Sequence, residues 1–306
     1  MLQFKAGLVP VFLIPHKGSQ VTPPEAMHWQ TSRFQIDLSE PKVMAIVNLT
    51  PDSFSDGGVS DARAGIQRAA EALEAGADML DLGAESTRPG AIPLNESDEL
   101  ARLLPVLKAA VAWQVPISVD TYKPGVMRAA LDAGADIIND VWALRWRDSS
   151  GLSGEIIVSA HPNCGVCLMH MHGEPLTMQV NPMSEPPAAM PVAVASFLMA
   201  RTEALLLRGV AGERIVVDPG IGFGKTVAQN YALLPGQQAL RALGFPVLAG
   251  WSRKSALGAV TGRAVDERLS ASVAASTIAL THGANVLRVH DVAATRDAVR
   301  VWLASQ

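Results

Sequence analysis

The chain has 306 residues, of which 49% are apolar and 18% are charged, so it can bury a large core in one domain or in two smaller ones. Its net charge of −4 excludes a broad basic field for nucleic acid or an anionic membrane, and an anionic ligand would need a local site. Two cysteines, Cys164 and Cys167, are too few for a disulfide framework and suit a reducing cytoplasm.

The first 27 residues contain a short apolar run, LVPVFLIP, which Pro10 and Pro15 interrupt. A secretory signal needs an unbroken apolar stretch with a small-residue cleavage site, and a membrane span needs about 20 apolar residues, so we predict neither. We expect residues 1–27 to form a disordered or dispensable extension, with Met27 as an alternative start. Residues 28–306 are then the folded domain.

Short apolar runs alternate with longer stretches of helical spacing from Val43 onward. The runs are typical of strands buried on both faces of a parallel sheet, and there are eight of them: residues 43–48, 78–83, 116–120, 136–141, 165–170, 214–220, 246–251 and 285–290. Gly76, Gly134 and Gly283 are each placed as the cap that ends a helix before the next strand. Repeated strand–helix units of this kind indicate parallel crossovers.

Eight units in about 260 residues match the count and length of a closed (β/α)8 TIM barrel in a single domain. An open, doubly wound sheet is the alternative, but no strand is followed by the dinucleotide fingerprint that such sheets often carry. The α/β barrel is therefore the predicted fold.

Polar residues lie at the end of every apolar run, and a barrel would bring these ends to one face. They are Asn48, Asp81, Asp120, Asn139, Asp140, His170, Asp218, Ser252, Arg253, Lys254, Arg288 and His290. The simpler explanation is that polar residues mark where strands meet water. Polar residues at all eight ends, with carboxylates and amides where Gly or Ser would serve a turn, favour a binding site.

The residue types in this set suit a ligand with two different ends. The carboxylates and amide of Asp120, Asn139 and Asp218 can bind the edge of an aminopyrimidinone ring bidentately. Arg288 and His290 are two residues apart, so strand alternation turns both side chains the same way. A guanidinium beside an imidazole suits a phosphate or diphosphate.

The two longest loops follow the first and second runs, at residues 50–58 and 84–91. Their glycines and prolines are ordinary turn residues, and solvated turns are one reading. Their other residues include aromatic and charged side chains that a turn does not require. Loops over a barrel mouth commonly form a lid that excludes water. Those residues are Asp52, Phe54, Asp56, Thr87 and Arg88.

The stretch DPGIGFGKT, residues 218–226, is similar to a nucleotide phosphate loop but does not match it. That pattern needs a glycine five positions before the Gly-Lys pair, and Pro219 occupies the position. We predict that Asp218 is its functional residue, that its glycines leave room for a flat ring beside Phe223, and that Lys225 has a minor role.

Four potential zinc ligands, Cys164, Cys167, His170 and His172, lie within nine residues. Cys167 and His170 fall in one predicted strand an odd number of residues apart, so they face opposite sides. We therefore predict buried cysteines rather than a zinc site.

Taken in order, eight motifs resemble those of the bacterial dihydropteroate synthases, over about residues 34–300. They are NLTPDSFSDGG, DLGAESTRPGA, SVDTYKP, INDV, LMHMHGEPLTMQ, DPGIGFGKT, GWSRKSALGAVTGR and RVHDV. The resemblance implies a TIM-barrel enzyme, usually a homodimer, that condenses (7,8-dihydropterin-6-yl)methyl diphosphate with 4-aminobenzoate. The products would be 7,8-dihydropteroate and pyrophosphate, with Mg2+ as cofactor.

The resemblance also implies a role for each matching residue. The pterin would contact a polar set and an apolar set: Asp120, Asn139, Asp218 and Lys254, and Val141, Met169 and Phe223. Asn48 would contact Mg2+, and Arg288 and His290 would bind the diphosphate. The loops would close with Phe54, Asp56, Thr87 and Arg88, and Ser255 would lie near the aminobenzoate carboxylate. The implied catalytic residues are Asp120, Asp218, Lys254, Arg288 and His290.

Three alternatives remain at this point. A pterin-binding methyltransferase domain would share the barrel and the pterin contacts but would pass a methyl group to a corrinoid partner. A non-catalytic pterin-binding paralogue and a barrel used only for interaction are the others. Intact TPDSFSDGG, ESTRPG and SRKS segments favour the synthase. We assign no function to Trp142 or to the charged run RWRD that follows it.

Overall fold

The structure is a computed structural model that describes residues 27–50, 59–86 and 91–306. Eight of its strands correspond to the eight predicted runs: β3 (Lys42–Asn48), β4 (Met79–Gly83), β5 (Ile117–Asp120), β6 (Ile137–Asp140), β7 (Gly165–Met169), β8 (Ile215–Asp218), β9 (Leu248–Ala249) and β10 (Val286–Val289). They form one parallel sheet in the order β8-β7-β6-β5-β4-β3-β10-β9. A parallel bridge from Val217 to Val247 joins the two ends, so the sheet closes into the predicted barrel.

Helices follow the strands and form an outer layer around them. Their bounds are α1 (Val59–Glu74), α2 (Glu96–Val111), α3 (Pro124–Asp132), α4 (Gly154–Ala160), α5 (Met190–Leu206), α6 (Val227–Leu233), α7 (Gln237–Arg241), α8 (Ser255–Thr261), α9 (Leu269–Thr281) and α10 (Val292–Ala304). Gly76, Gly134 and Gly283 have φ of 98°, 101° and 93°, the left-handed conformation predicted for helix caps. The TIM-barrel prediction is confirmed.

Alternation along each strand divides its side chains between the helix layer and the barrel interior. The lowest interior layer is apolar and contains Met44, Met79, Ile137, Cys167, Val216, Leu248 and Val286. Residues one position further along, such as Leu80 and Val217, pack against the helices instead. The carboxyl ends of the strands, above the apolar layer, carry the polar side chains.

A short antiparallel hairpin, which the sequence did not predict, closes the lower end of the barrel. Its strands are β1 (His28–Gln30) and β2 (Gln35–Asp37). Trp29 is fully buried in the apolar layer, and its Nε1 donates to Arg214 O at 3.0 Å. Gly165 makes room for the indole, since a Cβ there would lie 3.0 Å from Trp29 Nε1.

One helical stretch in the described part of the chain, Pro187–Leu206, is long and apolar enough to cross a membrane by length and composition alone. It contains α5, which follows β7 as the other helices follow their strands. Its residues Val194, Leu198 and Leu205 are buried in the main core. One face of this helix therefore packs in the barrel.

Candidate active site

The carboxyl ends of the strands bring three predicted pterin residues into one layer. Asp120 ends β5 and pairs in the ladder with Asn139 of β6, while Asp218 ends β8 and pairs with Met169 of β7. Asn139 and Asp218 are buried, and the side chain of Asp120 is only 10% exposed. The barrel therefore assembles the predicted carboxylates and amide in a pocket with little access to water.

An apolar cluster lies against these polar residues at the same end of the barrel. It contains Val141, Met169 and Phe223, the three residues predicted to wall the pterin, together with Met171 and Met178. A flat ring placed in this pocket could bind the polar groups at its edge and the cluster at its face. The structure brings the seven predicted pterin residues to one region, and their binding roles stay predictions.

Arg288 connects two carboxylates inside the barrel. Its Nε donates to Asp81 Oδ2 and its Nη2 donates to Asp120 Oδ2, both at 2.6 Å. Asp81 is fully buried and also accepts a hydrogen bond from Asn139 Nδ2 at 3.2 Å. Two nitrogens of the guanidinium therefore bind carboxylates of the site, and the predicted diphosphate contact would use the remainder of the group.

Burial gives the carboxylates unusual acidities. It raises the pKa of Asp120 to about 7, although the charge of Arg288 opposes the rise. Burial also raises the pKa of Asp218, against the hydrogen bond from Gly220 N and the charge of Lys254. Asp120 Oδ1 is buried and accepts no hydrogen bond from any residue that the structure describes. Such an oxygen requires a donor, which an N–H group of a ligand can supply.

Lys254, Ser252 and His290 lie along the β9–β10 side of the site. Lys254 Nζ is 4.3 Å from the centre of the Phe223 ring, within the range of a cation–π contact. Ser252 Oγ is 3.0 Å from His290 Nδ1 and accepts a hydrogen bond from His290 N. Ser255 is exposed and begins α8 directly after Lys254. The structure thus brings these predicted residues close to the pterin layer.

Two glycines of DPGIGFGKT have a different structural role from the one predicted. Gly220 and Gly224 have φ of 67° and 68°, and a Cβ at either would lie 1.9 and 2.3 Å from the backbone oxygens of His170 and His172. They allow two loops to approach each other, rather than making room for a ring. Gly222 alone borders the site, where a Cβ would lie 3.4 Å from Lys254 Cδ.

Lys225 has a larger structural role than predicted. Its buried Nζ donates to the backbone oxygens of His170, Gly220 and Phe223, at 3.3, 2.8 and 3.2 Å. Burial lowers its pKa to about 7, although the charge of Asp218 opposes this. Lys225 therefore holds the glycine turn that carries Phe223 and follows Asp218.

Two of the polar strand ends do not converge on the site as predicted. His170 turns outward and its ring packs edge-on against Phe197 of α5, with centroids 4.8 Å apart. Asp140 is fully buried and accepts hydrogen bonds from Trp142 N and Leu144 N. Both lie one residue beyond an inward-facing residue, Met169 or Asn139, so alternation sends them to the helix layer.

The two cysteines lie in different parts of the core. Cys167 belongs to the lower interior layer, whereas Cys164 faces the helix layer, where Arg214 Nη2 is 3.2 Å from its sulfur. Opposite orientations of Cys167 and His170 are thus as predicted. No group of three His, Cys, Asp or Glu side chains suited to a metal occurs in residues 27–50, 59–86 and 91–306.

Asn48 is half-buried at the end of β3, next to Gly83 in the ladder. Its backbone oxygen accepts a hydrogen bond from Arg68 Nη2 at 2.7 Å. The side-chain amide oxygen of Asn48 is a hard oxygen donor of the kind that Mg2+ takes, and such an ion usually keeps several waters and binds substrate phosphate as well. Five predicted loop residues lie outside the described residues: Asp52, Phe54, Asp56, Thr87 and Arg88.

A buried lysine anchors the stretch that follows β4. Lys123 Nζ forms ion pairs with Glu85 and with Glu99 of α2, the latter at 2.6 Å. Glu85 Oε2 also accepts a hydrogen bond from Leu94 N at 3.1 Å. The ammonium group therefore links Glu85 to the first turn of α2, and Glu85 in turn holds Leu94.

Replacing Lys123 with Met should destabilise the protein by about 3–5 kcal/mol, because it leaves two carboxylates buried without their partner. Urea unfolding followed by circular dichroism would measure the loss. Lys108→Met, at an exposed position of α2, is the control and should change stability little. An equal effect of the two substitutions would contradict the anchoring role.

A cavity of about 200 Å³ opens beside the site. Its aromatic lining comes from Tyr122, Trp142 and Trp146, and its two carboxylates are Glu85 and Glu174. The unexplained aromatic residues after β6 therefore shape the rim of the barrel mouth, and none of the pterin residues predicted from the sequence lines this cavity.

Comparison with known proteins agrees with this fold and site. A family model described as "Pterin binding enzyme" matches residues 44–290. The chain is 46% identical over 281 residues to the dihydropteroate synthase of Neisseria meningitidis serogroup B, covering 90% of this chain and 96% of that one. It is 42% identical over 268 residues to that of Escherichia coli K12, covering 87% and 92%.

Solved structures give the same result. The crystal structure of Burkholderia cenocepacia dihydropteroate synthase complexed with 7,8-dihydropteroate has a TM-score of 0.81 at 47% identity, covering 91% of this chain and 96% of that one. Xanthomonas albilineans dihydropteroate synthase with 4-aminobenzoic acid has a TM-score of 0.82 at 44% identity, covering 91% and 98%.

A barrel that gathers carboxylates, an amide and an apolar wall at its carboxyl end, and that matches the family model over most of its length, belongs to the pterin-binding enzyme family. Within that family, the chain is more than 40% identical to two dihydropteroate synthases along nearly its whole length. The chain belongs to the dihydropteroate synthases.

Two residues received no individual role from the sequence. Asp81 was predicted only as one of the polar residues on the site face, and an acidic residue inside a strand buried on both faces requires a partner. Lys123 follows Asp120 in SVDTYKP, where nothing local shows that Glu85 and Glu99 meet it. The need of Asp81 for a partner follows from the pattern, whereas the role of Lys123 depends on contacts between distant segments.

Proposed function

We propose that the pocket of Asp120, Asn139 and Asp218 binds the pterin ring of (7,8-dihydropterin-6-yl)methyl diphosphate for condensation with 4-aminobenzoate. The observation that carries this proposal is a buried set of acceptors and an amide beside an apolar cluster, at the barrel face that bears active sites. The ring edge would donate to the unpartnered Asp120 Oδ1 and to Asp218, and its face would lie against Met169 and Phe223.

The reaction breaks the C–O bond between the pterin methylene and the diphosphate and forms a C–N bond to the arylamine, which then loses a proton to water. Positive charge develops on the methylene as the diphosphate leaves, and the electron-rich dihydropterin can delocalise it. Arg288 and His290 would stabilise the departing anion, so the main contribution is electrostatic. The arylamine is neutral near pH 7 and needs no strong base.

Mg2+ is the proposed cofactor, with Asn48 as its protein contact. The ion would supply positive charge to the leaving diphosphate. Lys254 would contact the pterin, and Ser255 would lie near the aminobenzoate carboxylate. The two loops would close over both substrates and hold them in the geometry for reaction, through Phe54, Asp56, Thr87 and Arg88.

We also propose a homodimer in the cytoplasm, without nucleic-acid or membrane partners. Exposed apolar side chains on α8, on α9 and between them support self-association: Val260, Val265, Leu269 and Ile278. Light scattering of the purified protein at several concentrations would test the oligomeric state. A folded domain of residues 28–306, with a dispensable extension before it, remains part of the proposal.

Turnover should depend on the ionisation of Asp120. The ionised carboxylate is the better acceptor for a ring N–H, so kcat/KM for the pterin diphosphate should fall as pH decreases through about 7. A pH profile at constant ionic strength would measure this. The residual activity of Asp120→Asn should lack the same acidic limb. Its persistence in that variant would assign the titration to another group.

The direct test of function is a turnover assay with Mg2+, the dihydropterin diphosphate and 4-aminobenzoate. We expect release of pyrophosphate and formation of dihydropteroate, and loss of both in Arg288→Ala. Failure to turn over, or full activity of that variant, would contradict the proposal. Methyl transfer to a corrinoid protein would instead identify the rival methyltransferase, and pterin binding without turnover would identify a non-catalytic paralogue.

A further inference from the structure

A pair of charges lies inside the barrel, where apolar packing is the rule. Above the apolar layer of Met44 and Met79, the second interior layer contains Asp81 and Arg288. The side chain of Asp81 is 0% exposed. Interior layers of such barrels are built mainly from branched apolar residues, and a buried ion pair is seldom more stable than apolar packing. Stability alone therefore gives no reason for Asp81.

The hydrogen bonds of Asp81 lead to the site from two directions. Its Oδ2 accepts from Arg288 Nε at 2.6 Å and from Asn139 Nδ2 at 3.2 Å. Arg288 then reaches Asp120 Oδ2 through Nη2. One oxygen of Asp81 thus fixes an arginine of β10 and an amide of β6, and through the arginine it fixes a carboxylate of β5.

We propose that Asp81 is a positioning residue for the condensation, holding Arg288 and Asn139 in the orientation in which they meet the pterin diphosphate. This inference rests on the function proposed above. It assigns Asp81 no contact with substrate, because Asp81 would act through Arg288 and Asn139. Loss of the carboxylate would release both side chains together, which distinguishes Asp81 from a residue that supports only one of them.

A second consequence is electrostatic. Burial raises the pKa of Asp120 and Arg288 of β10 opposes it, while Asp81 of β4, Asp140 of β6 and Glu99 of α2 raise it further. Removing the charge of Asp81 removes one repulsion, while Arg288 loses its contact at Nε and keeps its contact with Asp120 at Nη2. The lost repulsion favours the ionised form, so the pKa of Asp120 should fall.

The substitution Asp81→Asn tests the proposal, because it keeps the shape and removes the charge. Both donors reach the one oxygen Oδ2, which the amide oxygen of Asn replaces only as a neutral and weaker acceptor for the Arg288 guanidinium. We expect kcat/KM for the pterin diphosphate to fall about 100-fold, the scale of a misplaced reactive group, and its acidic limb to move to lower pH. The same substrate is used throughout, so titration of the diphosphate cancels between proteins.

Ser118→Ala is the matched control. Ser118 pairs with Asp81 in the ladder and is equally buried, but its hydroxyl forms no hydrogen bond with any residue that the structure describes. We expect its pH profile to match that of the unsubstituted enzyme. A 100-fold loss in Asp81→Asn with an unmoved acidic limb, or equal losses in both variants, would show a structural role only and overturn the proposal.

Carbon-13 NMR titration of the aspartate carboxyl groups provides a readout without turnover, with Asp120 assigned from Asp120→Asn. It should show a lower pKa for Asp120 in Asp81→Asn, and an unchanged value would overturn the proposal. If Asp81→Asn does not fold, Asp81→Ser takes its place, and failure of both to fold would make Asp81 a folding residue instead. Lack of dihydropteroate formation by the unsubstituted protein would refute the proposed function, whereas the titration tests the coupling independently.

Discussion

Replacing Asp218 with Asn is expected to lower kcat/KM for the pterin diphosphate by about 10³-fold, because it turns a buried acceptor into a donor and leaves a ring N–H unpaired. Asp218 Oδ1 already accepts a hydrogen bond from Gly220 N at 2.7 Å, which fixes the carboxylate and leaves Oδ2 for the ligand. An amide cannot satisfy both contacts. Steady-state kinetics with each substrate varied in turn would measure the effect.

The loss should be specific to the pterin pocket. Asp132→Asn, at an exposed position at the end of α3, is the control and should retain full activity. Calorimetric titration with a pterin that lacks the diphosphate should show the same loss of affinity in Asp218→Asn, since the ring edge makes the contact. Normal pterin affinity in that variant would mean that Asp218 acts on another part of the reaction.

The barrel could be predicted because its signals are local and repeated. Each buried strand is a continuous apolar run, and the capping glycines at 76, 134 and 283 mark where helices end. The pterin layer followed because strand ends converge in any closed parallel barrel. The same rule gave a wrong prediction at His170 and Asp140. Both residues lie at a strand end, but their side chains point to the helix layer.

Other features depend on contacts that no local pattern contains. The strands of the β1–β2 hairpin have three residues each, too short for periodicity to show. Gly220 and Gly224 are explained by the backbone of a different loop, near His170 and His172. Composition reveals that glycines are present, whereas only the folded chain reveals which atoms would collide with a side chain.

The hairpin has a large expected effect on stability. Trp29→Ala should destabilise the protein by about 3–5 kcal/mol, because it removes a fully buried indole and leaves a cavity under the apolar layer. Trp29→Phe should cost less, since it keeps a ring and loses mainly the hydrogen bond to Arg214 O. Urea unfolding followed by far-UV circular dichroism would measure both.

Trp113→Ala is the control, because Trp113 is partly exposed on the outside of the barrel. A loss no greater than that of the control would show that the hairpin is not needed to close the lower end.

A second contact holds the hairpin in Trp29→Ala. Arg33 forms an ion pair with Asp136, at the start of β6, at 2.6 Å, and this substitution leaves the pair in place. The site lies at the opposite end of the barrel, and each folded molecule of Trp29→Ala should therefore keep its pterin affinity. Barrel closure and pterin binding would then be separable properties of one sheet, the first set by its lower layer and the second by its carboxyl ends.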